Sequence, residues 1–354
     1  MGQLLVVAIW APHYNANEEL FDKECKKVNR DIKSCLGNKE QMKALLIGIN
    51  YIGSDSALNG CINDIKNVRN YIGEKFARVH DVKFPNPVTL GSVAQLVKAF
   101  NNANRRGIDD EVAPTETLTN KQEVEVLMLS DDQEGLHKPT RANILSAIAW
   151  LTADCKAGDK LFMHYSGHGS RRIDTSGDEA DGYDETICPV DYQSAGMIVD
   201  DELRVALVDP LPEGVQLRCI FDCCRSGSNL DLPFCYKPDH VLSGQGNVWV
   251  KGTSMNSHHL VACVDKLHQG TKCDVVTISG CADNDFSADA YIKGAYAGAL
   301  TATLMELMRT PTQSHCYKDL YIRLLEQLKT RKYTQVAQLS SGKEIDESAS
   351  FDLF

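Results

Sequence analysis

Short apolar runs alternate with helix-period segments along most of the chain. Residues 43–50, 124–129, 161–165, 215–221 and 274–278 are rich in Val, Ile, Leu and Phe and lead into Gly, Ser, Asn or Asp. Runs of that length and composition suit strands buried on both faces of a parallel sheet. Between them, Ile62, Ile65, Val68 and Ile72 recur at helical spacing. A second helix is expected to open at Pro139, with Thr140 in its first turn, and to run through Leu151. Residues 295–308 and 319–329 read as covering helices, and 333–339 as a closing strand. Strand and helix in alternation predict an α/β fold: about six mostly parallel strands with helices on both faces.

The remaining segments set the organisation. Residues 1–40 form an arm with a charged helical stretch around 18–33, and 41–354 form one domain. Within it, 79–123 reads as an insertion, with residues 90–100 helical and the pair Arg105-Arg106 exposed. Residues 237–273 turn to Gly, Ser, Asn and His and read as a surface linker. Acidic residues crowd 174–185, and 187–190 with 197–199 suggest a hairpin beside them.

Composition narrows the function classes. A net charge of −11 and a pI near 5.4 argue against a nucleic-acid surface and favour cationic partners. The thirteen cysteines are scattered and lack any Cys-x-x-Cys pair, which suggests reduced thiols and not a disulfide or zinc framework. The apolar start, Met1–Trp10, has no basic leading segment, and no run reaches the roughly 18 residues of a membrane helix. A cytoplasmic protein with no membrane attachment is expected.

Reactive side chains stand at the ends of two neighbouring runs. The first ends in His164-Tyr-Ser-Gly-His168-Gly169, the second in Asp222-Cys-Cys224-Arg-Ser-Gly227. Parallel strands place their C-terminal ends on one sheet edge, so an imidazole and a thiol can meet there. A thiolate is the nucleophile and a nearby imidazole exchanges its proton. His164 and His168 have the spacing of a zinc pair, but only on a helix, and this is a strand end. Alternation turns His164 into packing and leaves His168 in the loop. By the same alternation only one of Cys223 and Cys224 faces the histidine. Backbone N–H groups of Gly169 and Cys224 are the candidate oxyanion hole. Asp222 beside a thiol would raise its pKa, so receiving a substrate cation suits it better. Asp64 has a plain reading as a helix-start carboxylate.

These two motifs, 56 positions apart between His168 and Cys224, resemble those of the metacaspases, caspase-fold cysteine peptidases. The resemblance implies a caspase-like sandwich, with a large-subunit-like part at 41–236 and a small-subunit-like part at 274–354. It implies catalysis by His168 and Cys224, the latter chosen because the family places its nucleophile two residues after the aspartate. Asp64, Ser166 and Asp222 then line a pocket for Arg or Lys. The acidic segment alone reads either as a solvated surface or as a cluster of hard ligands. The resemblance implies Ca2+ on Asp184, Asp200, Asp201 and Asp231. It also implies protein or peptide substrates with basic residues, self-processing at a lysine within 237–273, and a monomer. Arg225, Asp285 and Phe286 depart from the family pattern. A scaffold without activity and a calcium-independent paracaspase are the alternatives; Cys224→Ala and calcium dependence separate them.

Overall fold

The computed structural model describes residues 40–83, 122–175, 177, 179, 182–224, 229–238, 260–265, 267–280, 289–292, 295–310, 315–333 and 335–354. The readings placed on 1–39, on 90–100, on Arg105-Arg106, on most of the 237–273 linker, and on Arg225, Asp285 and Phe286 lie outside them. The chain divides into the units Met1–Gln41 and Met42–Phe354, and the second unit carries the sheet and its helices.

The first strand of that unit is β1, Met42–Gly48, buried along its whole length. Such a strand needs apolar residues on both faces, and Ala-Leu-Leu-Ile supplies them. To one side lie β3 (Glu123–Ser130) and β2 (Arg78–Asp81). To the other lie β4 (Lys160–Ser166), β8 (Gln216–Asp222) and β11 (Asp274–Ser279). These six run parallel without interruption. The sheet continues through three short strands, β14 (Gln338–Ser341), β9 (Phe234–Pro238) and β10 (Leu260–Val264), each antiparallel to its neighbour. The sheet therefore has nine strands, not about six.

Helices cover both faces, as expected. Leu46, Phe162 and Ile220 point to one core, closed by α1 (Cys61–Lys75), α4 (Ala299–Met308) and α5 (Tyr317–Thr330). Leu45, Met163 and Phe221 point to the other, closed by α2 (Arg141–Thr152). Gly48 permits the end of β1 to meet the start of α1, because a side chain there would stand 2.5 Å from the Cys61 carbonyl oxygen. A smaller sheet of β5 (Gly169–Ile173), β6 (Tyr183–Ile187) and β7 (Ile198–Val199) projects from the β4 end, with the short helix α3 (Asp200–Leu203) after it. No helix among the described residues is long and apolar enough to cross a membrane.

Several boundaries differ from the sequence reading. Thr140 caps α2 by accepting from Asn143 N, so Pro139 precedes the helix instead of opening it. Residues 295–298 form β13, antiparallel to β12 (Asp289–Ile292), and only then does α4 begin. The closing strand starts at Gln338, five residues later than Tyr333. The 79–123 segment begins and ends in strand, and the 237–273 segment contains β10 and begins within β9. β2 and β10 are the two edge strands of the large sheet, and both lie mostly exposed or half-buried.

Candidate active site

The site grows from the register of β4 against β8. Ser166 lies opposite Asp222, the last residue of each strand. Gly167 then donates to the Asp222 carbonyl at 3.4 Å, so the two chains leave the sheet together. His168 and Cys224 stand two residues beyond, on one edge, both half-buried. Gly169 makes this approach possible: any side chain there would collide with the Cys224 carbonyl and sit 3.2 Å from Cys223 Sγ. Cys223 is fully buried beneath, with Asn229 Nδ2 at 3.8 Å from its sulfur. The two cysteines thus have different surroundings, and the half-buried one is Cys224.

His168 is held on three sides. Its Nε2 lies 2.7 Å from the Ser56 carbonyl oxygen. A carbonyl only accepts, so in the neutral ring Nε2 carries the hydrogen and Nδ1 keeps the basic lone pair. The Tyr51 ring lies against the imidazole at 4.5 Å between centroids. Its hydroxyl accepts from His168 N at 2.9 Å and donates to the Cys188 carbonyl at 2.6 Å. Tyr51 adopts φ 51, and Asp131 brackets it by accepting from Asn50 N and Ile52 N, both at 2.8 Å. Burial holds the Tyr51 and Tyr165 phenols well above their ordinary pKa, so neither competes as a base. Sequence reasoning missed Tyr51, Ser56 and Asp131. The available signal was position, since Tyr51 and Asp131 both follow parallel strands at the same edge.

His164 behaves as a packing residue. It is fully buried, Nε2 lies 2.9 Å from Thr301 Oγ1, and burial lowers its pKa to about 3.

Below His168 and Cys224, Asp64, Ser166 and Asp222 converge from three elements. Asp64 sits in the first turn of α1 and accepts from Ser166 Oγ at 2.7 Å. Asp222 accepts from Thr301 N, in the first turn of α4, at 2.8 Å. Between them lies Gly298, where a methyl would overlap the Asp222 carboxylate and come within 2.8 Å of Asp64 Oδ2. Asp64 is therefore both a helix-start carboxylate and one wall of this acidic niche. Gly298 and Thr301 were not singled out from sequence.

The acidic segment forms a second group. Asp184 on β6 accepts from Arg172 Nε at 2.9 Å, a cross-strand pair. Asp200 accepts from Glu185 N at 2.6 Å and from Asp201 N at 2.9 Å. Among the described residues, Glu179, Glu185 and Asp200 bring carboxylate oxygens within 4.8 Å of one another. Glu179 also groups with Asp231 and His268 at the same separation. Asp184 and Asp201 belong to neither group, and Glu179 and Glu185 were not expected. Burial pushes Asp200 up to about 7 and Asp231 up to about 9, with neighbouring carboxylates adding to both shifts. Asp231 Oδ1 is buried with no hydrogen-bond partner. An oxygen-only set with an orphaned carboxylate oxygen at its border fits a hard divalent cation.

Comparison with known proteins places the sequence in one family. The metacaspase, peptidase C14 domain family model matches residues 42–92 and 99–233. Metacaspase-1 of Emericella nidulans is 36% identical over 90% of this chain and 74% of its own length. Metacaspase-1 of Mycosarcoma maydis is 34% identical over 97% of this chain and 81% of its own. Metacaspase-1 of Meyerozyma guilliermondii is 33% identical over 90% and 73%. With the family matched across both strand-end motifs and relatives aligned over most of its length, this chain belongs to the metacaspases and is a cysteine endopeptidase.

Proposed function

We propose that this peptidase cleaves after Arg or Lys, that Cys224 and His168 perform the chemistry, and that Ca2+ activates it. The observation that carries the specificity is the convergence of Asp64, Ser166 and Asp222 about Gly298, next to the loop of His168. Two buried carboxylates on either side of one glycine favour a guanidinium or ammonium and repel an acidic side chain.

The reaction runs in two halves. Nδ1 of His168 takes the Cys224 Sγ proton, and the thiolate adds to the scissile carbonyl carbon. The oxygen, now negative, faces the N–H groups of Gly169 and Cys224. Collapse breaks the C–N bond as imidazolium Nδ1–H protonates the leaving amine, leaving a thioester on Cys224. Water then adds, its proton passing to Nδ1, and the thioester breaks to a carboxylate and a restored thiol. The Ser56 carbonyl and the Tyr51 ring orient the imidazole throughout.

Asp184, Asp200, Asp201 and Asp231, joined by Glu179 and Glu185, would hold the calcium. Bound there, it would neutralise the repulsion among these carboxylates and draw β6, α3 and the segment after Cys224 into one position. Self-processing is proposed within 237–273. Lys237 is disfavoured because its backbone belongs to β9, whereas Lys272 is exposed. The described cysteines are all free, which supports a reducing compartment; a cytoplasmic monomer is the form proposed.

Hydrolysis of Arg, Lys and Asp peptide reporters by the full chain, with calcium and with chelator, tests this reading. Turnover of Arg and Lys reporters only with calcium, and none by Cys224→Ala, is expected. Cleavage after Asp would overturn the specificity, and equal rates in chelator would overturn the calcium requirement.

A further inference from the structure

His268 lies in the turn between β10 and β11, outside the catalytic machinery, yet its side chain is only 8% exposed. Nδ1 lies 3.3 Å from Asp265 Oδ2. Nε2 is buried with no hydrogen-bond partner, and its nearest acid, Glu179 Oε1, stands 3.8 Å away, too far for a hydrogen bond. Asp231 Oδ1 is a second buried orphan, and the residue is 2% exposed. The donor atoms of Glu179, Asp231 and His268 all lie within 4.8 Å of one another.

That pattern is specific. A histidine that ligates a metal through one nitrogen usually gives its other N–H to a carboxylate, which fixes the tautomer and ring orientation. Asp265 stands where that partner belongs. Two donors across a zinc ion lie at most about 4 Å apart, so small rotations of the side chains close the set. The backbone around it is already braced. Arg204 donates to the carbonyl oxygens of Asp231 and Leu230, and at 2.7 Å to that of Gln269, the neighbour of His268. Its Nε lies 3.6 Å from Asp209, so the guanidinium ties the two ligand-bearing segments together from outside the donor set.

We propose that Glu179, Asp231 and His268 form a site for a borderline divalent transition metal of the zinc class, with Asp265 orienting the imidazole. It shares Glu179 and Asp231 with the proposed calcium set and adds the His268 nitrogen, and imidazole nitrogen selects zinc-class ions over calcium. Such an ion links the β5–β6 loop, the segment after Cys224 and the β10–β11 turn. It is independent of peptide hydrolysis and is tested without it.

The test uses the full-length Cys224→Ala protein, stripped with chelator and titrated with Co2+ while visible absorption is recorded, then with Zn2+ as competitor. One Co2+ per chain with a ligand-field spectrum free of thiolate charge transfer, displaced by Zn2+, is expected. His268→Gln should weaken binding at least about tenfold, and Asp265→Asn, which leaves all three ligands in place, by roughly 10- to 100-fold at most. A thiolate charge-transfer band would assign the ion to cysteines and overturn the proposal. Unchanged binding in Asp265→Asn and in a folded His268→Gln would overturn it as well, and if the latter fails to fold, Asp265→Asn alone decides. A parallel Ca2+ titration of Asp265→Asn and His268→Gln, which leave every calcium carboxylate in place, keeps the two cation readings apart: an unchanged Ca2+ response beside weakened Co2+ binding is expected, and equal loss of both would overturn the zinc-class assignment.

Discussion

Gly298 gives its single backbone N–H to both carboxylate oxygens of Asp64, at 3.0 Å each, across 234 positions of sequence. The same glycine is the spacer that keeps Asp64 and Asp222 apart. A methyl here cannot be accommodated without moving a carboxylate. Gly298→Ala should therefore lower kcat/KM for Arg reporters by at least about tenfold and destabilise by about 1–3 kcal/mol, as overpacking does. Steady-state kinetics alongside urea unfolding would check both numbers.

Tyr51 offers a cleaner separation of stacking from hydrogen bonding. Tyr51→Phe keeps the ring against His168 but removes the hydroxyl that joins His168 N to the Cys188 carbonyl. A positioning role predicts a fall in kcat of about tenfold with KM little changed. Equal kcat in the two proteins would show that the ring alone holds the imidazole.

The two adjacent cysteines should separate sharply. Cys223 is sealed beneath Gly169, and Cys224 lies at the sheet edge. Cys224→Ala is expected to abolish turnover, whereas Cys223→Ala should retain it and lose about 1 kcal/mol of stability from the small cavity. Reporter assays and thermal melts on both variants measure this.

His164 gives the fold a defined response to acid. Burial lowers its pKa from 6.5 to about 3. Between those values the unfolded chain binds a proton that the folded chain refuses, so this group makes stability fall as pH drops from about 6.5 toward about 3, and adds no slope above. His164→Asn should flatten the profile in that window by up to about 1.4 kcal/mol per pH unit. Urea midpoints measured across the window would reveal the difference, and parallel profiles would refute the assignment.

The parts of this fold that are buried on both faces were legible because nothing but an apolar run can occupy them. β1, β4 and β8 are of that kind, and the last two lead directly into His168 and Cys224. β2 was not legible because its Arg-Val-His-Asp has no apolar stripe to read, and β10, although apolar, is a five-residue run set in a Gly-, Ser-, Asn- and His-rich stretch that reads as linker. The acidic niche was half legible: Asp64, Ser166 and Asp222 stand in short motifs. Gly298 and Thr301 belong to an Ala- and Leu-rich stretch whose composition says helix and nothing about the carboxylates it will meet. Glu179 and His268 escaped for the same reason, being brought together only by the return of the chain from β10 to β11.

One sulfur, Cys224 Sγ, is proposed to receive its acyl group from a substrate whose basic side chain occupies the niche of Asp64 and Asp222. Peptide mapping by mass spectrometry after treatment with a peptidyl-arginine fluoromethyl ketone in calcium tests it directly. A single adduct on Cys224, lost in Asp222→Asn and absent when Asp replaces Arg in the reagent, is the predicted result. An adduct on Cys223, or labelling indifferent to the charge of the reagent, would contradict it.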